Sequence, residues 1–417
     1  MSESLIRTIF IVFFIVSLFL QFYLSIRQSR AVDAHKDKVP ELFVSKITLE
    51  EHKKAALYTL AKQKLLRIDL IFQAGLLLLF TFGGGLNVLL GMVKSIGATE
   101  LNQGVLLIVS FMLVNYLLSL PFSIYKTFYL EERFDFNRST PKIFISDQIK
   151  GLILGGVLGI PLLYVVLYLM KISGANWWIY VWLVWLVFSL AMLWIFPKWI
   201  APIFNKFKPL DNPSLQNRIE QLLNRTGFKS QGLFIMDGSK RSGHGNAYFT
   251  GFGKNKRIVF FDTLIENLTE PEIEAVLAHE LGHFYHKHII MQMIISFLSG
   301  LLILWILSLL LPNANFYRGL GVDVEPSNAM ALILFFLVLP VFSIIFTPIS
   351  SMFSRRNEYQ ADAFCAKHSD ANQLISALIK LFRDNAGTLV NDSIHSMFYD
   401  SHPNALDRIN ALKKNML

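Results

Sequence analysis

The sequence predicts a mainly α-helical protein that crosses a membrane about seven times and carries a small α+β region on the cytoplasmic side. Three observations lead to this fold class. Hydrophobic residues make up 53% of the 417 positions and the mean hydropathy is +0.46, which is more apolar than a soluble domain of this length. Several apolar stretches reach the roughly 20 residues that a helix needs to cross a bilayer. The connections between them alternate between many and few basic residues.

Seven apolar stretches predict the membrane helices. The first leads directly into a basic segment and has no clear small-residue cleavage site, so it is interpreted as a helix rather than a secretory signal. Three successive glycines in the second stretch, and Pro340 and Pro348 in the seventh, predict kinks or unwound turns. The stretches are Thr8 to Ile26, Ile68 to Val93, Val105 to Tyr125, Gly151 to Met170, Trp177 to Phe196, Ile289 to Leu311 and Met330 to Phe353.

The basic residues between these stretches predict the orientation. Residues 27–67 carry ten Lys and Arg and residues 126–150 carry five, whereas residues 94–104, 171–176 and 312–329 carry one each. Because basic connections stay in the cytoplasm, the N-terminus is predicted to lie outside and the C-terminus inside. The formal net charge of +9 is therefore attributed to topology and to contact with the lipid bilayer, and no nucleic-acid partner is expected.

The water-facing segments after the fifth and seventh stretches are expected to carry the chemistry. Two short apolar runs in the first of them, Gly232 to Met236 and Arg257 to Phe261, predict strands of a small mixed sheet beside helices. The chain is accordingly divided into an N-terminal membrane domain, residues 1–200, with five spans. The second domain, residues 201–417, includes the two further spans.

A metal-binding motif, His279-Glu280-Leu281-Gly282-His283, lies just before the sixth stretch. On a helix its two histidines face one side and can bind one Zn²⁺, while the glutamate between them can take a proton from the attacking water. Thr269 and Glu272 form a capping-box pattern that predicts where this helix begins. The pattern therefore predicts a catalytic site with one zinc ion per chain.

Glu358 is the best candidate for a third zinc ligand. The 74 residues between His283 and Glu358 contain two spans, so the chain leaves the cytoplasmic face and returns to it. Asp362 follows one helical turn later, where its carboxylate could accept the outer N–H of a ligating histidine. The alternative is a surface carboxylate paired with Arg355 or Arg356.

The remaining histidines carry weaker signals. His286 lies roughly 10 Å along a helix axis from His279, too far for both to share an ion with His283. His288 is expected to point elsewhere and to be an interfacial residue. His402 lies in an irregular segment and is a candidate for stabilising an oxyanion. His244 lies in a similar segment and has no assigned role.

The chain resembles the M48 metallopeptidases, specifically the type I CAAX prenyl proteases. The resemblance covers nearly the whole chain and includes the number of spans. Besides the zinc motif it rests on Asn357-Glu358-Tyr359-Gln360-Ala361-Asp362, Asn246-Ala247-Tyr248-Phe249, Ser401-His402-Pro403 followed by Arg408-Ile409, and Phe134-Asp135-Phe136-Asn137-Arg138-Ser139-Thr140.

The resemblance implies a role for each matched residue. It implies a large water-filled chamber enclosed by the seven helices, with the zinc site at its cytoplasmic end. Asn246 and Ala247 would lie on an edge strand that pairs with an extended peptide. The other implied roles are zinc ligands (His279, His283, Glu358), general base and acid (Glu280), support of a ligand (Asp362) and contact with substrate or transition state (His402, Arg408).

The same resemblance implies the substrate class, because members of that family remove the C-terminal tripeptide from prenylated proteins that end in Cys-a-a-X. The expected partner is a peptide or protein, possibly prenylated. Short loops and the absence of a eukaryotic targeting signal favour a bacterial inner membrane. Two alternatives stay open: a general HtpX-like quality-control protease, and a non-catalytic membrane chamber whose metal is structural.

Overall fold

The apolar runs of the N-terminal half fold into long helices. The computed structural model describes residues 1–230, 232–250 and 257–415. The helices up to residue 206 are α1 (Glu3–His35), α2 (Leu49–Phe80), α3 (Gly85–Lys94), α4 (Glu100–Tyr125), α5 (Pro141–Ile172), α6 (Trp177–Ile195) and the short α7 (Ala201–Phe204). Four of them are long and apolar enough to cross a membrane alone, and α2 with α3 passes the same test as a bent pair.

The bend between α2 and α3 measures 53° and lies at the three glycines that predicted it. Gly84 has a φ of +75°, which a residue with a side chain rarely adopts. A Cβ on Gly83 would lie 2.8 Å from the Leu79 carbonyl oxygen, and one on Gly85 would lie 2.9 Å from the same atom. The glycines are therefore required by the backbone path of the second span.

The C-terminal half combines a small sheet with further helices. The sheet and its neighbours are β1 (Phe207–Pro209), α8 (Pro213–Thr226), β2 (Leu233–Met236), β3 (Ala247–Thr250), β4 (Arg257–Phe261), α9 (Asp262–Asn267) and α10 (Glu270–Tyr285). The rest of the chain forms α11 (His288–Leu310), α12 (Ala314–Gly319), α13 (Asn328–Ser343), α14 (Thr347–His368), α15 (Ala371–Asp384), α16 (Ser393–Tyr399) and α17 (Ala405–Asn415). With α11 and the continuous α13–α14 segment, the described chain reaches the seven predicted spans.

The sheet has the strand order β1-β2-β4-β3. The two predicted strands, β2 and β4, run parallel at its centre, with Leu233 opposite Ile258. Strand β3 runs antiparallel to β4, with Ala247 opposite Phe260, and forms one edge among the described residues. Strand β1 was not predicted, because its three residues end in a proline that suits an edge position and carries no strand signal.

The two largest of the four apolar cores in the described chain hold most of the molecule together. One joins the membrane helices and buries Phe10, Leu107 and Tyr317. The other packs the sheet against α8, α10, α14 and α15 and buries Ile219 and Phe260 completely. Burial of such side chains stabilises a fold by roughly 1.5–3 kcal/mol each. Helix α10 is thereby fixed on one side by the second core and presents its histidines on the other.

The membrane helices enclose the chamber that the resemblance implied. Its volume is about 1300 Å³, and its wall is mostly apolar, with residues from α1, α2, α4, α5, α6, α11 and α13. Polar side chains such as Gln21 and Asn115 also reach the wall. The lining continues to Thr347 at the start of α14 and to Tyr399 at the end of α16. These two residues connect the chamber to the water-facing half of the molecule.

The predicted capping box fixes the start of α10. Glu272 accepts a hydrogen bond from the backbone N–H of Thr269 at 2.7 Å, and its carboxylate also binds Lys380 and Ser376 of α15 at 2.7 Å each. Replacing Glu272 by Ala is expected to lower the free energy of unfolding by about 2 kcal/mol, because a helix cap and a buried charged hydrogen bond are both lost. Thermal unfolding in detergent, followed by tryptophan fluorescence, measures this loss.

The contribution of Glu272 depends on pH. Burial opposes its ionisation, but the bonds from Lys380, Ser376 and Thr269 hold the pKa of the Glu272 carboxyl below its ordinary 4.5. The stabilisation is therefore complete above pH 4.5 and is lost as the pH falls through the lower folded-state value. The control is Glu220→Ala on the exposed side of α8. Equal melting temperatures for the two variants would contradict this account of the cap.

Candidate active site

Three candidate ligands meet between α10 and α14. The His279 and His283 Nε2 atoms lie 3.3 Å apart, since the two residues are one turn apart on α10. Glu358 of α14 faces them, with its Oε2 at 3.4 Å from His279 Nε2 and its Oε1 at 3.3 Å from His283 Nε2. All three ligand atoms lie within 4.8 Å of one another. The hairpin of α11 and α13 thus brings Glu358 back to the motif helix.

The glycine inside the motif allows this approach. A Cβ on Gly282 would lie 2.7 Å from Ala361 Cα and 3.1 Å from the Ala361 carbonyl oxygen. Because these atoms belong to the α14 backbone, rotation of a side chain could not relieve the contact. Gly282 therefore sets the distance between the two helices that carry the candidate ligands.

The residues at this site fit a zinc ion. Glu358 is only 4% exposed, and its two carboxylate oxygens lie 3.3 and 3.4 Å from the Nε2 atoms of the two histidines. Two imidazole nitrogens 3.3 Å apart cannot present lone pairs to each other unless a proton or a cation lies between them. A buried carboxylate beside two such nitrogens is the donor set that catalytic zinc uses. This arrangement can hold a cation and leave one coordination position for a reactant.

Asp362 orients His279. The His279 Nδ1 atom lies 2.8 Å from Asp362 Oδ1, and Asp362 is 1% exposed. Burial disfavours the charged imidazole, but the bonds to Asp362 and Glu358 outweigh it and raise the pKa of His279 to about 9. The outer nitrogen of this candidate ligand thus contacts the carboxylate of Asp362.

Arg408 of α17 binds the carboxylate of Asp362. Its Nε and Nη2 atoms donate to the two carboxylate oxygens at 2.9 and 2.6 Å, and its side chain is buried. Burial opposes its charge, but Asp362, Glu358 and Glu280 together raise the pKa of Arg408 above its ordinary value. The Nη1 atom lies 3.5 Å from Glu358 Oε2. Arg408 therefore contacts both the candidate ligand Glu358 and Asp362, the residue that contacts His279.

His402 lies at the exposed side of the site. Its Nδ1 atom is 2.8 Å from Glu358 Oε2, and 63% of its side chain is exposed. Arg355 holds the preceding segment by donating to the Ser396 and Asp400 carbonyl oxygens at 2.9 Å. Arg355 thus binds the end of α16, and Glu358 is buried rather than a surface carboxylate paired with it.

Asn246 and Ala247 lie at the edge strand. Ala247 opens β3, and the Asn246 carbonyl oxygen accepts a hydrogen bond from the Phe261 N–H at 2.9 Å. The Asn246 side chain accepts from the Ala247 N–H at 2.8 Å. Among the described strands β3 pairs with β4 alone, so its other side can accept an extended peptide.

His244 joins the two halves of the molecule. Its ring stacks on Phe136, with centroids 4.3 Å apart, and its Nδ1 atom lies 3.2 Å from the Asn385 side-chain oxygen. Its Nε2 atom is 3.7 Å from Glu131 at the membrane boundary. The structure thus places His244 between residues of the N-terminal and C-terminal halves of the chain and away from the three candidate ligands.

His288 is the residue that the sequence interpretation missed. The chain turns at Lys287, which has a φ of +57°, so α10 ends and α11 begins in a new direction. The turn brings His288 Nδ1 to 3.0 Å from His283 Nδ1. The expectation that His288 points elsewhere was therefore wrong. In the sequence, a turn here is indicated only by the polar residues between the zinc motif and the sixth apolar stretch.

Six membrane-capable helices and one bent pair, an apolar chamber and a His-Glu-x-x-His helix facing a buried glutamate define a membrane-embedded metallopeptidase. Two family models match the chain: "CAAX prenyl protease N-terminal, five membrane helices" over residues 28–206, and "Peptidase family M48" over residues 209–416. The chain belongs to the M48 family of zinc metallopeptidases, in its CAAX prenyl protease branch.

Curated relatives and a solved structure agree with this assignment. The probable CAAX prenyl protease 1 of Schizosaccharomyces pombe is 35% identical over 398 residues, covering 91% of this chain and 84% of the relative. The human CAAX prenyl protease 1 homolog is 36% identical over 352 residues, covering 75% and 74%. The crystal structure of S. mikatae Ste24p matches with a TM-score of 0.91 and 33% identity, over 98% of this chain and 99% of that one. These relatives are eukaryotic and do not support a bacterial membrane.

Proposed function

We propose that this chain cleaves peptide bonds near the C-terminus of prenylated or membrane-associated proteins, using one zinc ion per chain at a site that faces the cytoplasm. The observation that carries this proposal is the connection between the apolar chamber and the candidate site. The chamber reaches Thr347, on the helix that bears Glu358, and Tyr399, three residues before His402.

His279, His283 and Glu358 would hold the zinc ion. When bound, zinc supplies a Lewis acid that polarises the scissile carbonyl and activates water. Glu280, half-buried on α10 beside both histidines, takes the proton from the attacking water and delivers it to the leaving amine. Asp362 and Arg408 keep His279 in the orientation that presents its Nε2 lone pair to the ion.

The edge of β3 binds the main chain of the substrate, and His402 stabilises the negative charge that forms during the reaction. Asn246 and Ala247 offer the free edge of β3, so an extended peptide gains main-chain hydrogen bonds with little demand on its sequence. His402, exposed beside Glu358, donates a proton or a hydrogen bond to the oxyanion that forms on attack.

The apolar chamber suits a hydrocarbon chain attached to the substrate. The relatives are named CAAX prenyl proteases, and transfer of an isoprenyl chain from water to an apolar wall is favourable by roughly 0.8 kcal/mol per buried methylene. The basic connections of residues 27–67 and 126–150 support a site on the cytoplasmic side, with the N-terminus outside. The bacterial inner membrane is not part of this proposal, because the relatives are eukaryotic.

The experiment is hydrolysis of a farnesylated CAAX peptide and of its unprenylated twin by the purified full chain in detergent. The expected result is faster cleavage of the farnesylated peptide, lost when the zinc is removed with a chelator and restored by added Zn²⁺. Equal cleavage of both peptides would replace the proposal by a general quality-control protease. Bound zinc without cleavage of either would favour a non-catalytic chamber.

A further inference from the structure

His288 contacts a candidate zinc ligand from a buried position. It is 8% exposed and opens α11, which begins after the turn at Lys287. One ring nitrogen, Nδ1, lies 3.0 Å from His283 Nδ1, and the other, Nε2, lies 2.8 Å from Gln360 Oε1. Both nitrogens of this buried ring are therefore used, which a histidine that merely packs at a membrane boundary does not require.

The chemistry of the three partners decides where the protons lie. The Gln360 oxygen can only accept, so His288 Nε2 must carry a proton. In a neutral imidazole the other nitrogen then has a free lone pair, and His288 Nδ1 accepts a hydrogen bond from His283 Nδ1–H. The proton of His283 is thereby kept on the side away from the ion, and its Nε2 lone pair faces Glu358 Oε1 at 3.3 Å.

This support differs from that of the other histidine ligand. His279 is held by the carboxylate of Asp362, which Arg408 braces through two hydrogen bonds. His283 is held by a neutral ring whose second contact is a neutral amide. One candidate ligand, His279, is thus held by a charged side chain, and the other, His283, is held by an uncharged one.

The contact also links the two halves of the site. Gln360 lies on α14, two residues after Glu358, while His288 follows the motif helix directly. The contacts from His283 through His288 to Gln360 therefore join α10, which carries two candidate ligands, to α14, which carries the third. Movement of α11 relative to α14 would change the orientation of His283.

We propose that His288, oriented by Gln360, is a positioning residue that fixes the tautomer and ring orientation of His283 for zinc binding. This inference rests on the proposed role of His283 as a ligand. Loss of such a support weakens metal binding by roughly 10–100-fold. Replacement of His288 by Phe keeps an aromatic ring and removes both hydrogen bonds.

The test is the zinc dissociation constant of the full chain in detergent, measured by competition with a chromophoric chelator, together with the visible spectrum of the Co²⁺-substituted protein. His288→Phe is expected to raise the constant by roughly 10–100-fold and to alter the cobalt spectrum. His288→Asn, whose amide oxygen can replace the Nδ1 acceptor, should recover most of the affinity. The matched control is His286→Phe, an exposed histidine two residues away.

A second variant keeps the proposal testable if His288→Phe does not fold. Gln360→Leu removes the acceptor and should weaken zinc binding, whereas Gln360→Glu keeps an acceptor and should not. Wild-type affinity and cobalt spectrum in His288→Phe or in Gln360→Leu would overturn the positioning role while the proposed peptidase stands. Failure of the wild-type chain to bind one zinc ion would overturn both.

Discussion

Replacing Glu280 by Gln is expected to reduce peptide hydrolysis by roughly three orders of magnitude while the protein keeps its zinc, because general acid–base catalysis contributes about 10²–10⁴-fold and an amide cannot accept the proton. Glu280 follows His279 on α10 but is absent from the group of atoms close enough to share an ion. The measurement is kcat for a farnesylated peptide with the zinc content determined on the same sample.

The control for this variant is Glu266→Gln, an exposed carboxylate on α9 that changes charge by the same amount. It should leave both kcat and zinc content unchanged. Turnover by Glu280→Gln within tenfold of wild type would remove Glu280 from the proposed mechanism. Loss of zinc from the same variant would instead indicate that Glu280 is itself a zinc ligand.

Replacing Gly282 by Ala is expected to abolish stoichiometric zinc binding and to lower activity by at least about 100-fold. The added methyl group would lie 2.7 Å from Ala361 Cα and 3.0 Å from Phe364 Cβ, so α10 must move away from α14. Overpacking of this kind costs roughly 1–3 kcal/mol, and here it also separates the two histidines from Glu358. Zinc content after dialysis and the melting temperature measure the two effects.

The matched control is Gly159→Ala in the membrane helix α5. A Cβ at Gly159 meets no atom within 4 Å, and alanine favours a helix over glycine by about 1 kcal/mol. This variant should keep its zinc and melt no lower than wild type. If Gly282→Ala bound zinc as tightly as Gly159→Ala, the close approach of the helices would not determine the geometry of the site.

The membrane fold was predictable because its signals are local. Long apolar runs, three adjacent glycines and a capping pattern at Thr269 and Glu272 each depend on neighbouring residues, and the helices, the bend and the cap follow them. The exact helix ends were not predictable. Helix α1 extends from Glu3 to His35, well beyond its apolar stretch, because polar flanking residues continue the helix into water.

The candidate site was predictable only where chemistry follows helix spacing. His279 and His283 are one turn apart, and the hairpin of spans returns Glu358 to them. The burial of Arg408 against Asp362 joins residues far apart in the chain and leaves no local pattern. The role of His288 depends on the positive φ of Lys287. A lysine rarely adopts this backbone conformation, so the sequence gives no signal for it.

The hairpin of α11 and α13 also has a consequence for the synthesis of the protein. A ribosome completes the His-Glu-x-x-His segment long before it reaches Glu358, and the 74 intervening residues must first enter the bilayer and return. A nascent chain therefore carries two candidate ligands without the third, and without Asp362 and Arg408 that support them. We expect such a chain to be proteolytically inert until both crossings are inserted, so that maturation of the enzyme is coupled to its own integration into the membrane.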